Sequence, residues 1–218
     1  MLTVQSFVFS PLQENTYLLY NEEKLGCVID PGCYLKNEQV KLQNAIERLG
    51  IQPNFLLNTH CHLDHVFGNE WVYETYGTPL HLHEREEPVL QLAPEFGRLW
   101  NMPFENYKGP LVFLKENDVV RIGHDELRVL FTPGHAPGHI CFYCEAQHFV
   151  ISGDTLFRGN IGRTDLPMGN YETLIHSIRT RLLVLPDDTI VYPGHGGATT
   201  VGAERVNLGS RQILPHNR

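Results

Sequence analysis

The sequence predicts one domain that combines α-helices with β-strands, and three observations lead to this expectation. In the first half, apolar strand-like segments alternate with segments of helical periodicity, which implies parallel strands in βαβ units. Between residues 119 and 151, four strand-like segments follow one another without a helix. No linker or low-complexity tract interrupts the chain, so residues 1–218 are expected to form a single domain.

The first half is predicted to contain five strands and two helices. The first two strands form a hairpin, and the third ends at a turn signal, Asp30-Pro31-Gly32. The first helix carries apolar residues at helical spacing and stops at Gly50. The predicted strands are residues 3–9, 15–20, 26–30, 55–57 and 79–81, and the predicted helices are residues 38–49 and 66–76.

The second half begins with the least periodic part of the chain, residues 84–115. Pro94, Gly97, Pro103 and Gly109-Pro110 are expected to break any long element there, which leaves a helix or two plus a loop. A helix with one apolar face is predicted at residues 171–185. The predicted strands of this half are residues 119–122, 127–131, 140–143, 149–151 and 189–192.

Composition and charge exclude several classes of function. The 25 acidic residues outnumber the 17 basic ones, so general nucleic-acid affinity, which needs a basic face, is not expected. No apolar run approaches the length of a membrane span, and the first residues lack a signal sequence, so a cytoplasmic protein is expected. The five cysteines are expected to be reduced. Cys141 and Cys144 lie three apart on a predicted strand and therefore face opposite sides.

Residues 59–65, Thr-His-Cys-His-Leu-Asp-His, concentrate metal ligands directly after a predicted buried strand. His60, His62, Asp64 and His65 offer imidazole and carboxylate groups, which suit zinc, iron or manganese. On an extended segment His60 and His62 point to the same side, which favours both on one ion. Cys61 points to the other side and is interpreted as a bystander.

Three further ligand-type residues follow predicted strands, and each is preceded by glycine: His135, Asp154 and His195. With the first cluster they are enough for two metal sites. His139 shares the Pro-Gly-His pattern of His135, so its role is open. The remaining histidines are interpreted as packed or solvated: His81, His83, His124, His148, His176 and His216.

Four motifs occur in order: T-H-C-H-L-D-H at 59–65, P-G-H-A-P-G-H at 133–139, S-G-D-T-L-F at 152–157 and Y-P-G-H-G at 192–196. Together they resemble the metallo-β-lactamase-fold superfamily and are most similar to its glyoxalase II-like (hydroxyacylglutathione hydrolase-like) group. The resemblance covers nearly the whole chain, in a short form without that group's full C-terminal helical domain. It implies an α+β fold, an αββα sandwich of two mixed sheets packed face to face with helices outside.

The resemblance also implies roles for the ligand residues. His60, His62 and His135 would hold one divalent ion, and Asp64, His65 and His195 the second. Asp154 would bridge the ions, and Asp64 and Asp154 would be the catalytic carboxylates. The metal is expected to be zinc, with iron or manganese as alternatives. Two such ions lower the pKa of a shared water to about 7, and the hydroxide attacks a carbonyl carbon, so no protein nucleophile is needed.

The predicted substrate is a small-molecule thioester of the S-acylglutathione type, such as S-lactoylglutathione. Arg163 matches a basic residue with which the group binds glutathione, although a structural salt bridge is an equal alternative for it. A nearby tyrosine of that group is missing here. Two alternatives stay open: a persulfide dioxygenase with one iron, and a metal-binding protein with weak hydrolase activity. Gly194 and Gly196 around His195 favour the hydrolase. Classical β-lactamases of this fold are set aside, since they are exported and lack a bridging aspartate at the position of Asp154.

Overall fold

Two six-stranded β-sheets form the centre of the molecule, and the structure, a computed structural model, describes residues 1–210. The first sheet has the strand order β1-β2-β3-β4-β5-β6. Its first three strands are antiparallel, and β3 to β6 run parallel to one another, as the alternation of strand and helix predicts. Its strands are β1 (Thr3–Phe9), β2 (Glu14–Tyr20), β3 (Leu25–Ile29), β4 (Gln52–Leu57), β5 (Leu80–His83) and β6 (Leu111–Leu114).

The second sheet has the order β14-β13-β10-β9-β8-β7, and β10 and β13 are its parallel pair. Between β10 and β13 the chain forms a separate antiparallel ribbon, β11 with β12. The strands of this half are β7 (Val119–Ile122), β8 (Asp125–Phe131), β9 (Ile140–Cys144), β10 (Phe149–Gly153), β11 (Leu156–Phe157), β12 (Asn160–Ile161), β13 (Ile190–Pro193) and β14 (Thr199–Thr200).

Within residues 1–210, six α-helices cover the outer faces of the sheets. Four lie on the first sheet: α1 (Lys36–Leu49), α2 (Leu63–Val66), α3 (Asn69–Tyr76) and α4 (Glu87–Leu99). On the second sheet, α5 (Tyr171–Ser177) continues into a π-helical turn, Ile178–Leu182, and α6 (Val201–Ser210) follows β14. No helix within the described residues is long and apolar enough to cross a membrane.

Alternation along the strands sorts the apolar residues into three layers. Leu19, Ile29 and Leu57 of the first sheet pack between the sheets, against residues of the second such as Phe142. Their chain neighbours in the first sheet point outward and pack against helices α1, α3 and α4. The outer face of the second sheet packs against α5 and α6 in the same way. The predicted α+β fold, an αββα sandwich of two mixed sheets, is confirmed.

Two helix predictions were wrong in their bounds. The helix expected at residues 66–76 is two helices, α2 and α3, separated at Gly68, where a Cβ would lie 2.4 Å from Cys33 Sγ. Helix α4 runs through Pro94, which the sequence predicted as a breaker. Proline removes one backbone N–H from the helix, and the freed carbonyl of Leu90 instead accepts from Asn106 Nδ2 at 2.7 Å.

Strand β6 was also missed, because the breaker residues upstream made residues 84–115 look irregular. The predicted single domain includes residues 211–218, and the predicted packed or solvated histidine His216 is one of them; these residues lie outside the described part of the chain.

Candidate metal centre

The seven predicted ligand residues lie together at one edge of the sandwich, where strands from both sheets end. The segment from His60 to His65 follows β4, and His135 follows β8. Asp154 follows β10, and His195 follows β13. Gly194 permits the close approach of these segments, since a Cβ there would lie 2.1 Å from Asp154 Oδ1. The backbone therefore brings together residues that lie up to 135 positions apart.

The first group consists of His60, His62 and His135, whose ligand atoms all lie within 4.8 Å of one another. His62 Nδ1 lies 2.9 Å from His135 Nε2, which in turn lies 3.2 Å from His60 Nε2. His60 and His62 thus face the same point, as the alternation of their side chains predicts. Cys61 lies in the apolar core instead, and burial raises the pKa of its thiol.

The second group consists of Asp64, His65 and His195, again with ligand atoms within 4.8 Å. Asp64 Oδ2 lies 3.1 Å from His195 Nε2 and 3.8 Å from His65 Nε2. Helix α2 begins at Leu63, and its first turn presents Asp64 and His65 to this group. The two predicted sets of three ligands are therefore both brought together.

Asp154 lies between the two groups. Its Oδ2 is 3.5 Å from His135 Nε2 of the first group and 3.7 Å from His195 Nε2 of the second. Its Oδ1 is 3.5 Å from His65 Nε2. One carboxylate thus faces both groups, the position predicted for a bridging ligand.

Hydrogen bonds on the far side of the rings orient His60 and His65. His65 Nδ1 lies 3.1 Å from Asp30 Oδ2, so this nitrogen donates to Asp30 and Nε2 faces the second group. Thr59 Oγ1 donates to the same Asp30 oxygen at 2.6 Å. The Thr59 hydroxyl therefore accepts from His60 Nδ1, 3.0 Å away, which leaves His60 Nε2 unprotonated.

Backbone carbonyls orient two further rings. His135 Nδ1 donates to the carbonyl of Arg163 at 2.7 Å, and His195 Nδ1 donates to that of Gln13 at 3.1 Å. The Nε2 atoms of both rings then face the shared centre. Metal-binding histidines are usually held in this way, by an acceptor on the nitrogen that does not bind.

The pKa shifts divide the histidines into two classes. Burial, followed by repulsion from His135, lowers the pKa of His62 to about 3, and burial lowers that of His135 to about 4. Burial also holds the pKa of His60 well below its usual value. Burial lowers the pKa of His65 too, but Asp64 and Asp154 outweigh it, so the net shift is upward. The first group is thus a set of neutral imidazoles, while the second contains its own negative charge.

Two buried atoms test whether these residues suit a metal. Within residues 1–210, His65 Nε2 and Asp154 Oδ1 are buried and have no hydrogen-bond partner. Buried polar atoms without partners are costly, and here they converge with unprotonated ring nitrogens. Nitrogen lone pairs that face one another at about 3 Å repel unless a cation lies between them. The donor set, imidazole plus carboxylate, therefore fits divalent metal ions.

Two buried carboxylates that support the centre were not identified from the sequence. Asp30 forms a third convergent group with His60 and His65, but Thr59 and Asn58 already occupy its oxygens, so we assign it an orienting role. Within the Asp30-Pro31-Gly32 turn, no sequence signal marks this contact.

The second is Glu86, which accepts from the backbone N–H of Cys61 at 2.7 Å and from that of Gly138 at 2.6 Å. It thereby ties the first ligand segment to the segment that carries His135. Burial raises the pKa of Glu86 to about 7, although these two N–H groups oppose the shift.

His139, whose role was open, is fully buried beside His60, with ring centroids 4.9 Å apart. Its Nε2 accepts from the backbone N–H of Asp154 at 3.1 Å, so it positions Asp154 rather than joining either group. Cys141 and Cys144 pack on opposite faces of β9, as predicted.

A cavity of about 590 Å³ opens onto both groups. His62, Asp64, His135, Asp154 and His195 line its floor. Arg163 lines the cavity as well, but its guanidinium forms two bonds to Asp165, at 2.7 and 2.8 Å. The salt-bridge alternative for Arg163 is thus present in the structure, and its role toward substrate stays a prediction.

Comparison with known proteins places this centre in a family. A family model described as the Metallo-beta-lactamase superfamily matches residues 9–195. The hydroxyacylglutathione hydrolase GloC of Haemophilus influenzae is 35% identical over 94% of this chain and 95% of its own length. The probable metallo-hydrolase YqgX of Bacillus subtilis is 41% identical over 89% and 90%.

Solved structures agree with this assignment. The B3 metallo-beta-lactamase BLEG-1 superposes with a TM-score of 0.86 at 34% identity, covering 94% of this chain and 97% of its own. TTHA1623, solved in a di-iron-bound form, gives 0.83 at 37% identity, covering 93% and 97%. The predicted resemblance is confirmed, and the chain belongs to the metallo-β-lactamase superfamily.

Proposed function

We propose that the protein is a binuclear metal-dependent hydrolase that cleaves thioesters of the S-acylglutathione type. The observation that carries the proposal is the pair of three-ligand groups with Asp154 between them. The similarity to a hydroxyacylglutathione hydrolase supports the choice of substrate. The substrate is a small molecule, with no nucleic-acid or membrane partner, and the protein acts in the cytoplasm.

In this proposal His60, His62 and His135 hold one ion, and Asp64, His65 and His195 hold the other. Asp154 joins the two. Zinc is the first choice, and iron is the main alternative because a similar structure contains two irons. When bound, two such ions polarise the thioester carbonyl and lower the pKa of water.

The two carboxylates at the floor of the cavity, Asp64 and Asp154, are the predicted catalytic residues. Burial raises the pKa of Asp64, but His65 and His195 outweigh it and hold that carboxyl ionised. Burial raises the pKa of Asp154, but both of its oxygens face predicted ligand histidines, so its proposed role is to join the two ions. In the reaction the carbonyl C–S bond breaks and a C–O bond to water forms. The products are a carboxylate, a thiol and one proton.

The size and position of the cavity suit a small substrate. Its volume of about 590 Å³ falls in the range of about 300–1,000 Å³ typical of small-molecule sites. Arg163 at its rim is the predicted contact for a glutathione carboxylate. To serve so, it would have to exchange its bonds with Asp165 for bonds to the substrate.

The test measures metal content and hydrolysis of S-lactoylglutathione on the same preparation. The proposal expects about two divalent ions per chain, turnover that chelation abolishes, and recovery on adding zinc. A single iron with oxygen uptake on glutathione persulfide would instead establish a dioxygenase. Metal binding without turnover would instead indicate a metal-binding protein that is not an efficient hydrolase.

A second candidate is β-lactam hydrolysis, because a structure 34% identical over nearly the whole chain is described as a β-lactamase. A chromogenic cephalosporin measured beside the thioester separates the two. We expect the thioester to be the better substrate by kcat/KM, because classical β-lactamases of this fold lack an aspartate at the position of Asp154.

A further inference from the structure

One wall of the cavity is entirely apolar and comes from a single helix. Helix α4 contributes side chains at positions that share one helical face: Val89, Ala93, Phe96 and Trp100, the last just beyond the helix end. Trp100 keeps 48% of its surface exposed and lines the cavity at the end of this face. Helix α4 packs beside α2, which carries Asp64 and His65, so this wall begins next to the metal-binding groups.

A second part of the lining comes from the β11–β12 ribbon and the segment after it, and it carries the positive charge of the cavity. Arg158 lies in the turn between β11 and β12, and Arg163 follows β12. Arg163 is neutralised by Asp165. Arg158 donates from Nε, at 3.1 Å, and from Nη2 to the carbonyl of Ala198. Within residues 1–210 it has no carboxylate partner, so its charge remains available.

From these two walls we infer a substrate with two different halves: an unbranched apolar acyl chain that lies along α4, and a thiol half whose carboxylate binds Arg158. The inference rests on the proposed thioester hydrolysis and specifies its substrate class. A lactoyl group is short and carries a hydroxyl, so it would leave the face from Val89 to Trp100 in contact with water. A chain of four to six carbons would cover part of this face, which spans about 16 Å along the helix.

Hydrolysis of such a substrate gives a free fatty carboxylate, the thiol and a proton, from the thioester and one water. The carbonyl has to lie over Asp154 and its neighbouring histidines, with one half of the molecule on each wall. This arrangement separates the two recognition elements, so each is testable alone.

The acyl half is tested with glutathione thioesters of acetate, butanoate and hexanoate, beside S-lactoylglutathione. Each methylene that becomes buried contributes about two- to fourfold in kcat/KM, which corresponds to half or full burial. We expect hexanoyl to exceed acetyl by at least about tenfold. Trp100→Ala should remove most of this difference and leave the acetyl ester within about twofold.

The matched control is Leu99→Ala. Leu99 is 76% exposed on the same helix and does not line the cavity, so the variant should keep the wild-type chain-length profile. Equal kcat/KM for acetyl and hexanoyl esters in the wild type, or equal effects of the two variants, would overturn the acyl assignment.

The thiol half is tested by comparing hexanoyl esters of glutathione and of N-acetylcysteamine, which has no carboxylate. Arg158→Gln should raise KM for the glutathione ester about tenfold and leave the other ester unchanged, because a charged hydrogen bond is lost. Arg98→Gln, on α4 and outside the cavity lining, controls for the loss of one positive charge. A larger effect of Arg163→Gln than of Arg158→Gln would overturn the assignment to Arg158.

A binding measurement separates this inference from the proposed function. S-hexylglutathione and S-methylglutathione are thioethers that cannot be hydrolysed, and calorimetry on the metal-loaded chain gives their affinities. Tighter binding of the hexyl compound, lost in Trp100→Ala, would support the pocket even if no thioester were turned over. Turnover of thioesters with equal binding of both thioethers would leave the hydrolase intact and overturn the pocket.

Discussion

Replacing Asp30 by Asn is expected to loosen the second metal-binding group without changing any predicted ligand. Asp30 has a φ of 49°, a left-handed conformation that Asn also tolerates, so the backbone should be kept. Asn Oδ1 can still accept from the N–H of Thr59, which lies 2.7 Å from Asp30 Oδ1. The change therefore falls on the other oxygen, Oδ2.

An amide nitrogen in place of Oδ2 would face His65 Nδ1 with a donor instead of an acceptor. The proton of His65 then shifts to Nε2, the atom that faces Asp64 and Asp154. The loss of the bond from His65 alone costs about 1.5–3 kcal/mol, and the bond that Thr59 Oγ1 donates to the same oxygen is lost with it. Removing an orienting partner of this kind typically lowers metal affinity about 10–100-fold. That loss corresponds to about 1.4–2.7 kcal/mol, in the same range as the hydrogen-bond energy.

Metal titration by calorimetry and metal content after dialysis measure this effect, with unfolding by denaturant as a check on stability. The matched control is Asp188→Asn, the same chemical change at an exposed carboxylate that accepts from His148 at 2.9 Å. The control should keep wild-type metal affinity. If Asp30→Asn also keeps both ions with unchanged affinity, the argument that Asp30 fixes the tautomer of His65 is refuted.

Three further predictions follow from the same contacts. Asp154→Ala should lower metal content and reduce turnover by more than the about 100-fold typical of orienting partners; unchanged metal content would contradict the bridging position. The five cysteines are all buried, so the folded chain should not react with a thiol reagent at pH 7, whereas the denatured chain should titrate all five; a fast thiol in the folded protein would refute this. Burial lowers the pKa of His81 below 6.5, so the unfolded chain binds a proton there that the folded chain does not. Stability should therefore fall as the pH drops below 6.5, and His81→Gln should show a shallower fall, measured by denaturant unfolding across pH; equal slopes would contradict it.

The sequence singled out the seven residues that the structure brings together because their signals are local. The spacing of His60 and His62 is enough to place both on one side of an extended segment, and the glycine before His195 marks a strand end. The division of the ligands between two ions came from the resemblance instead, because no periodicity links Asp64 to a residue 131 positions later.

Supporting residues escaped prediction because their contacts are long-range. Glu86 lies in the run Glu84-Arg85-Glu86-Glu87, and nothing in that run shows which of its carboxylates is buried. Its partners, Cys61 and Gly138, are 25 and 52 positions away. The continuation of helix α4 through Pro94 was missed for the same reason. The carbonyl of Leu90, which proline leaves without its helical partner, accepts from Asn106 only in the folded chain.

The central claim is that two ions, held by two groups that share Asp154, are needed for thioester hydrolysis. The most direct measurement is hydrolysis of an S-acylglutathione as the metal-free chain is titrated with zinc. The account predicts that activity rises until about two equivalents per chain are bound and then stays level. Full activity at one equivalent, or hydrolysis without metal, would contradict it.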